Sequence, residues 1–499
     1  MKTRSLRIAL LLFVSISFVF AQPKTITILH TNDIHASFVP HEAFWVKGNP
    51  KPLIGGFKEL EVVADSIRRA EKLTLLFDAG DVMTGNPITE FVYNGAEGGA
   101  LFEMMNMLDY DAWTVGNHDF DVSVNNLKKL TSIAHFPTLA ANIRDSANTA
   151  PVNNKDYIII TKGGIRFGVF GIMSREFYSL VNKNSSRNIK ILDPIKTSKQ
   201  MVALLRPQAD VIIALTHQGV SDDTVLASRV DGIDIIIGGH SHTRLQKPKR
   251  INNILIVQTG SNCEYLGVIT LTVDHGKILS SNGKLISLWV RDEYPTTKLT
   301  SFVDSMQNVI EKSYSEVLGE LRTPWVRGRG GESGIGDFIT DAQREAAHAD
   351  VAFMNDHGIR QDLPEGKITK RKLFEVLPFR NVLGVFSLRG DQLKAAVEYA
   401  IRTRSPIQTS GLNVVWKKKD DGSIEFVQFL VNGQPIRDDR IYTVAASDYL
   451  IGESKRYLGI EISDYTLLDK TVFSVVEQKI RATGVIESKV EGRIKQISK

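Results

Sequence analysis

Gly116-Asn117-His118-Asp119 stands at the end of the short apolar run Trp113-Thr114-Val115, with Phe120-Asp121 behind it. An amide, an imidazole and carboxylates at the tip of an apolar stem are what a strand presents at its carboxyl end. Four more places have the same form. Asp33-Ile34-His35, Gly80-Asp81, Thr216-His217 and Gly238-Gly239-His240-Ser241-His242 each follow an apolar run. Together the tips hold Asp33, His35, Asp81, Asn117, His118, Asp121, His217, His240 and His242, including five of the 11 histidines in the chain. Carboxylate oxygen mixed with imidazole nitrogen suits zinc, manganese or iron better than calcium, which prefers oxygen alone. The donors suffice for two divalent ions. Alternate residues of an extended segment share a side, so Asp33 and His35 are expected to point together, as are His240 and His242. Asp81 has one oxygen to offer each of two ions.

Two ions roughly 3.5–4 Å apart clamp a phosphoryl group and lower the pKa of a shared water, which attacks phosphorus in line. The departing alkoxide then needs a proton or a compensating charge. His118, beside Asn117, is the candidate to supply it, and Asp121 is the candidate to orient and charge that imidazole. No covalent intermediate is required, and the chain has neither a nucleophile elbow nor a P-loop to compete with this chemistry.

The elements that must position these tips are legible as apolar runs. Strands are expected at 25–29, 73–77, 111–115, 167–170, 211–215, 233–237 and 254–257, with helices at 57–70 and 100–108 between the early ones. Strands alternating with helices imply α/β layers, and runs without polar alternation imply sheets covered on both faces. Ligands of such sheets gather at the carboxyl ends of strands, so all five tips are expected to converge on one site. From 296 to 318, Leu299, Phe302, Met306, Val309, Ile310 and Val317 recur at near-helical spacing, predicting one amphipathic helix of about six turns that stops near Gly319. It reads as a connector between domains.

Beyond it lies a second α/β unit. Helices are expected at 336–347, 371–376, 391–402 and 472–482, and strands at 351–354, 385–388, 426–431 and 442–446. Asn432-Gly433 marks a hairpin turn of type I′. This unit offers Arg329, Asn355, Arg360, Phe379 and Tyr449 as substrate-binding candidates. Arginine forks recognise phosphate, and aromatic rings sandwich a base.

The 499 residues allow several domains, and 42% hydrophobic with 23% charged residues is ordinary for a soluble globular chain. Lys2, Arg4 and Arg7 precede an apolar run over 8–20, and Val19-Phe20-Ala21 has the small-residue spacing of a signal-peptidase site. The expectation is a signal peptide over 1–21 and export to the periplasm or the medium. No cysteine lies near that cut, which argues against a lipid anchor, and the polar, basic residues 490–499 argue against a hydrophobic anchor tail. Removing the three leader cations lowers the formal charge from +5 to +2, so no nucleic-acid groove is expected. The single cysteine, Cys263, forbids an intrachain disulfide. Nothing in the sequence sets the number of subunits.

In order and interval, the five tips resemble the signature of the calcineurin-like metallophosphoesterases over residues 25–292. The run Asn117-His118-Asp119-Phe120-Asp121 is close to the Asn-His-Glu-Phe-Asp of the 5′-nucleotidase branch. In the second unit, Arg329-x-x-Glu332 with Gly336 and Asp341-Ala342, the loop Asn355–Arg360, Leu377-Pro378-Phe379 and Asp448-Tyr449-Leu450 resemble the C-terminal domain of that family. The resemblance implies a four-layer α/β/β/α metallophosphoesterase domain (22–292), a helical connector (293–320) and a C-terminal α/β substrate-binding domain (321–499). It implies one ion on Asp33, His35, Asp81 and His242 and another on Asp81, Asn117, His217 and His240, with His118 and Asp121 as the catalytic pair. It further implies phosphate release from nucleoside 5′-monophosphates or related nucleotides. Alternatives on the same scaffold are 2′,3′-cyclic nucleotide phosphodiesterase, nucleotide-sugar hydrolase and thiosulfohydrolase-like activity, and outside it a nonenzymatic binding protein. Two departures bear on the substrate. Asp356-His357 replaces two family glycines, and the family's Gly-Gly-Asp-Gly run after Tyr449 is absent, with Glu453 as the candidate substitute for its Asp.

Overall fold

The first strand, Lys24–Thr31, buries Ile26 and Ile28 on one face and Leu29 on the other. Successive side chains of a strand face opposite ways, so a strand sandwiched on both sides reads as an unbroken apolar run. The computed structural model describes residues 23–43, 45–48, 50–181, 187–328, 331–403 and 407–497. The expected signal peptide at 1–21 and the candidate Arg329 lie outside them.

Six strands form the first sheet, in the order Lys277–Ser287, Tyr265–Asp274, Lys24–Thr31, Thr74–Asp78, Ala112–Thr114, Thr138–Leu139. The second runs Tyr157–Lys162, Ile165–Met173, Val211–His217, Ile235–Gly238, Ile254–Val257, Lys249–Ile251. The two sheets pack face to face through Ile26, Ile28, Leu75 and Phe77 of one and Phe167, Val169, Ile213 and Leu215 of the other. Outside the first sheet, helices Phe57–Ala70, Gly99–Met107 and Lys298–Tyr314 close a second core with Phe57, Leu60, Leu101, Leu299 and Val303. Outside the second, Pro194–Leu205 and Val220–Arg229 close a third with Met201, Leu205 and Leu226. The result is the four-layer α/β/β/α sandwich.

The long helix is shorter than its periodicity predicts. It starts on a Thr297 capping box and ends at Tyr314, and residues 317 and 318 belong instead to the strand Val317–Leu321. That strand pairs antiparallel with Gly366–Thr369 and parallel with Val485–Ile486. The distant pairings, with β-branched Val317 leading in, outweigh the local helical spacing. The helix is also more than a connector, because Leu299, Val303 and Ile310 are buried in the outer core of the first domain.

The C-terminal domain is built on a five-stranded sheet, Ile407–Ser410, Val351–Asn355, Ile441–Ser447, Val382–Arg389, Tyr465–Thr471. One face carries helices Gly334–Ala347, Lys370–Val376 and Val472–Thr483 through Ile335, Ile339, Leu373 and Val476. The other carries Gly390–Thr403 and a four-stranded sheet through Leu393, Val397, Val414 and Phe429. The first helix begins two residues before its expected start because the Ser333 hydroxyl caps it, accepting from the Gly336 N–H at 3.1 Å. Asn432 and Gly433 have φ of 48° and 75°, as the type I′ turn requires.

Candidate active site

Strand register brings the tips together. Thr31 lies beside Asp78, Phe77 beside Ala112, and Thr216 beside Gly238. Asp33, Asp81, Asn117 and His118 therefore leave the carboxyl edge of the first sheet, while His217, His240 and His242 leave that of the second. All five tips meet where the two edges abut.

The expected extended geometry of the two Asp/His-x-His pairs does not occur. Asp33 and His35 have φ of 50° and 48°, His240 and His242 of 80° and 51°, and Asp81 of 59°. Left-handed backbone at non-glycine residues costs about 1–3 kcal/mol each and persists where the surroundings enforce it. Here the surroundings are adjacent turns, with Asp33 N–H donating to the Gly80 carbonyl at 2.8 Å and His35 N–H to the Asp81 carbonyl at 2.9 Å. The turns, rather than strand alternation, bring His35 Nε2 to 3.9 Å from Asp33 Oδ1. Glycine is required where they touch, since a Cβ on Gly116 would lie 2.2 Å from Asp81 Oδ1.

Two donor groups result. Asp33, His35 and His242 form one, and Asp81, His217 and His240 the other, with ligand atoms within 4.8 Å of one another in each. Asp81 Oδ2 is 3.1 Å from His217 Nε2 and 3.9 Å from His35 Nε2, between the groups. Asn117 Oδ1 joins the second group, 3.2 Å from His217 Nε2. Two tautomers follow from the partners. His217 Nδ1 faces the Ala79 carbonyl at 2.7 Å and His35 Nδ1 the Thr84 carbonyl at 3.1 Å. A carbonyl only accepts, so both rings donate from Nδ1 and turn Nε2 into the site, where it offers a lone pair to an ion once it carries no proton. His35 Nε2 is 2.9 Å from His242 Nε2.

The charges are frustrated as they stand. Burial, with Asp81 nearby, pushes the Asp33 carboxyl up to about 7. Burial pulls His217 down, but Asp81 and Asp33 outweigh it and lift the imidazole to about 10. Buried carboxylates facing imidazole lone pairs hold protons in the absence of other cations, and divalent ions replace those protons. The donor set fits two such ions.

His118 belongs to neither donor group. Its Nδ1 is 2.8 Å from Asp121 Oδ2, which also accepts from the Thr84 hydroxyl at 2.7 Å. Burial lowers the pKa of His118, yet Asp121 and Asp81 outweigh it and the net shift is upward.

Asn355, Arg360, Phe379 and Tyr449 line the same cleft as His35, Asp81, Asn117, His118, Asp121, His240 and His242, in a volume of about 980 Å³. Arg360 Nη2 reaches to 3.2 Å from His35 Nε2, and its guanidinium lies 5.7 Å from the Phe379 ring. Phe379 in turn stands 5.5 Å from the His118 ring. Asn355 Oδ1 is buried with no hydrogen-bond partner among the described residues. The Tyr449 hydroxyl donates to the Ser179 carbonyl across the cleft at 2.9 Å. His357 is exposed at the cleft wall, while Asp356 turns inward to accept from Gln408 Nε2 at 3.1 Å. Glu453 lies outside the cleft lining.

Sequence reasoning missed the residues that hold these in place. Asp119, inside the opening motif, is buried and accepts from the N–H groups of Gly116, Asp81, Val82 and Met83 at 2.7, 3.1, 3.0 and 3.1 Å. Its position in the motif was the only signal available. Tyr457, which also lines the cleft, carried none.

The profile of the calcineurin-like phosphoesterases matches residues 26–244, and that of the 5′-nucleotidase C-terminal domain matches residues 315–458. Human 5′-nucleotidase is similar at 30% identity over 526 aligned residues, covering 94% of this chain and 90% of that protein. A trifunctional nucleotide phosphoesterase of Bacillus subtilis is 27% identical over 95% of this chain, which spans only 35% of that longer protein. A solved 5′-nucleotidase precursor from Thermus thermophilus superimposes with a TM-score of 0.83 at 26% identity, over 95% of this chain and 100% of that one.

Proposed function

The chain belongs to the 5′-nucleotidase family, and from that premise we propose that it is an exported, metal-dependent phosphohydrolase that releases phosphate from nucleoside 5′-monophosphates or related nucleotides. The observation that carries the reading is a single cleft in which two donor groups flank Asp81, the His118–Asp121 pair stands beside them, and Arg360 and Phe379 reach in from the second domain.

Asp33, His35, Asp81 and His242 would hold one ion, and Asp81, Asn117, His217 and His240 the other. When bound, the ions supply positive charge that acidifies a water and steadies the phosphoryl oxygens. The residues of the chain do the rest. Asp121 accepts the Nδ1 proton of His118, which fixes the ring and leaves Nε2 to protonate the departing 5′ oxygen. Burial opposes it, but Asp121 and Asp81 shift the His118 pKa upward on balance, which favours the protonated ring. Arg360 meets phosphate charge with its planar fork. Phe379 and Tyr449 flank the base, and the unpaired Asn355 Oδ1 accepts from a base N–H. Arg329 is assigned a second phosphate contact on resemblance alone.

Export is supported by the basic and apolar leader at 1–21. No helix among the described residues is long and apolar enough to cross a membrane. N-terminal sequencing of the mature protein should begin at Gln22, and an intact Met1 would count against export by this route. The substrate reading is tested by phosphate release from AMP, UMP, a 2′,3′-cyclic nucleotide, UDP-glucose and a thiosulfate conjugate, run on metal-analysed protein. AMP or UMP should be the preferred substrate. If both are inert with metal bound, the nucleotidase reading fails.

A further inference from the structure

The strand Ile254–Val257 is followed by Gln258, Thr259 and Gly260, three residues with no part in the chemistry above. Gln258 is fully buried at 0% exposure. Its Oε1 accepts from the Thr243 N–H at 2.7 Å and the Ser241 hydroxyl at 2.8 Å, and its Nε2 donates to the Gly239 carbonyl at 2.6 Å. One amide thus grips the metal-binding loop before His240, between His240 and His242, and after His242. The loop needs an external hold, because both histidines sit in left-handed backbone that neither adopts without enforcement.

The same segment reaches the other sheet. The N–H and hydroxyl of Thr259 both donate to Asn32 Oδ1 at 2.8 Å. Asn32 Nδ2 donates at 2.7 Å to both the Gly260 carbonyl and Asp33 Oδ2. Residues 258–260 therefore bond to the loop carrying His240 and His242 on one side and to the turn carrying Asp33 on the other. His242 belongs to the donor group of Asp33, and His240 to that of Asp81. The loop thus carries one imidazole of each donor group. What sets this loop sets the distance between the two groups.

We propose that Gln258 is a positioning residue for the dinuclear centre, a brace that fixes where His240 and His242 stand and thereby how far apart the two ions are held. The proposal rests on the reading of the two donor groups as ion sites. A buried residue that only fills space would be replaced without loss by methionine, which has nearly the shape of glutamine and none of its three hydrogen bonds.

The test uses full-length protein loaded with manganese and compares wild type, Gln258→Met and Ser241→Ala. Manganese dissociation constants are measured by chelator competition, ion coupling by electron paramagnetic resonance, and kcat and KM with AMP. Loss of a partner that orients metal ligands weakens affinity about 10–100-fold. Gln258→Met should raise the weaker constant by that factor, replace the exchange-coupled signal by that of separate ions, and lower kcat with KM little changed. Ser241→Ala, at an exposed residue, removes the hydroxyl's bond to Gln258 together with its contacts to the Val220 N–H at 3.2 Å and the Thr243 hydroxyl at 2.9 Å, so it should fold and raise the same constant at least about threefold, the scale of one hydrogen bond. Wild-type constants and coupling in Gln258→Met would overturn the brace. Should that variant fail to fold, unchanged constants and coupling in Ser241→Ala overturn it instead. A wild type that binds fewer than two ions refutes the metal reading, a separate outcome that precedes either variant.

Discussion

His118→Ala divides the labour of the site most sharply. The imidazole is outside both donor groups, so both ions should remain bound. What disappears is a ring held by Asp121 at 2.8 Å, with a pKa that burial lowers but Asp121 and Asp81 raise on balance. A positioned general acid contributes about 10²–10⁴-fold to rate, or about 3–5 kcal/mol of barrier. The full loss should appear only where the leaving oxygen needs a proton. A nucleoside 5′ alkoxide is strongly basic, whereas a nitrophenolate departs unassisted near neutral pH. With AMP, kcat should therefore fall about 10³-fold, and with p-nitrophenyl phosphate less than about tenfold. The assay is steady-state phosphate release on both substrates, with metal content measured on the same preparations. Equal losses on the two substrates, or loss of an ion along with the ring, would refute the assignment of His118 as the acid.

Asp81→Ala should behave oppositely, because its Oδ2 lies between the two groups; metal analysis should show loss of at least one ion, and full occupancy would remove Asp81 from the centre. Phe379→Leu should raise KM for AMP about 10-fold, within the roughly 1–3 kcal/mol of one stacked base, with little change in kcat; an unchanged KM would assign the ring to packing against His118. His30 is buried with no partner for Nδ1 among the described residues, and burial lowers its pKa from 6.5 to about 3. The unfolded chain takes up this proton below pH 6.5 while the folded one resists it, so the contribution is intact above pH 6.5 and is lost as pH falls toward 3. His30→Leu should remove a few kcal/mol of acid sensitivity, narrowing the gap between melting temperatures at pH 7 and pH 4; parallel wild-type and variant curves would contradict it.

The metal-side tips were legible because each joins an apolar run, which names a buried strand, to residues that have no reason to end one. The same feature hid the mechanism of their convergence. Left-handed turns at Asp33, Asp81 and His240 depend on neighbours such as Gly80 and Asp119, which no periodicity encodes. The hairpin Tyr265–Asp274/Lys277–Ser287 was missed for a related reason. Its outer strand is a sheet edge with no fully buried residue, rich in serine and lysine and without an apolar run. The connector was overextended because Val317 fits a helical stripe and a strand equally, and only the pairing with Gly366–Thr369 decides between them. The substrate half was least legible. Arg360 meets His35 across 325 residues of sequence, and the inward turn of Asp356 toward Gln408 depends on a strand some fifty residues on.

Every role assigned to the cleft residues depends on metal-dependent turnover of a nucleotide. Metal-free protein titrated with manganese or zinc should release phosphate from AMP in proportion to added ion, reach a plateau at two equivalents per chain, and lose that activity to a chelator. Turnover of AMP that is absent at saturation, or that persists without metal, would contradict it.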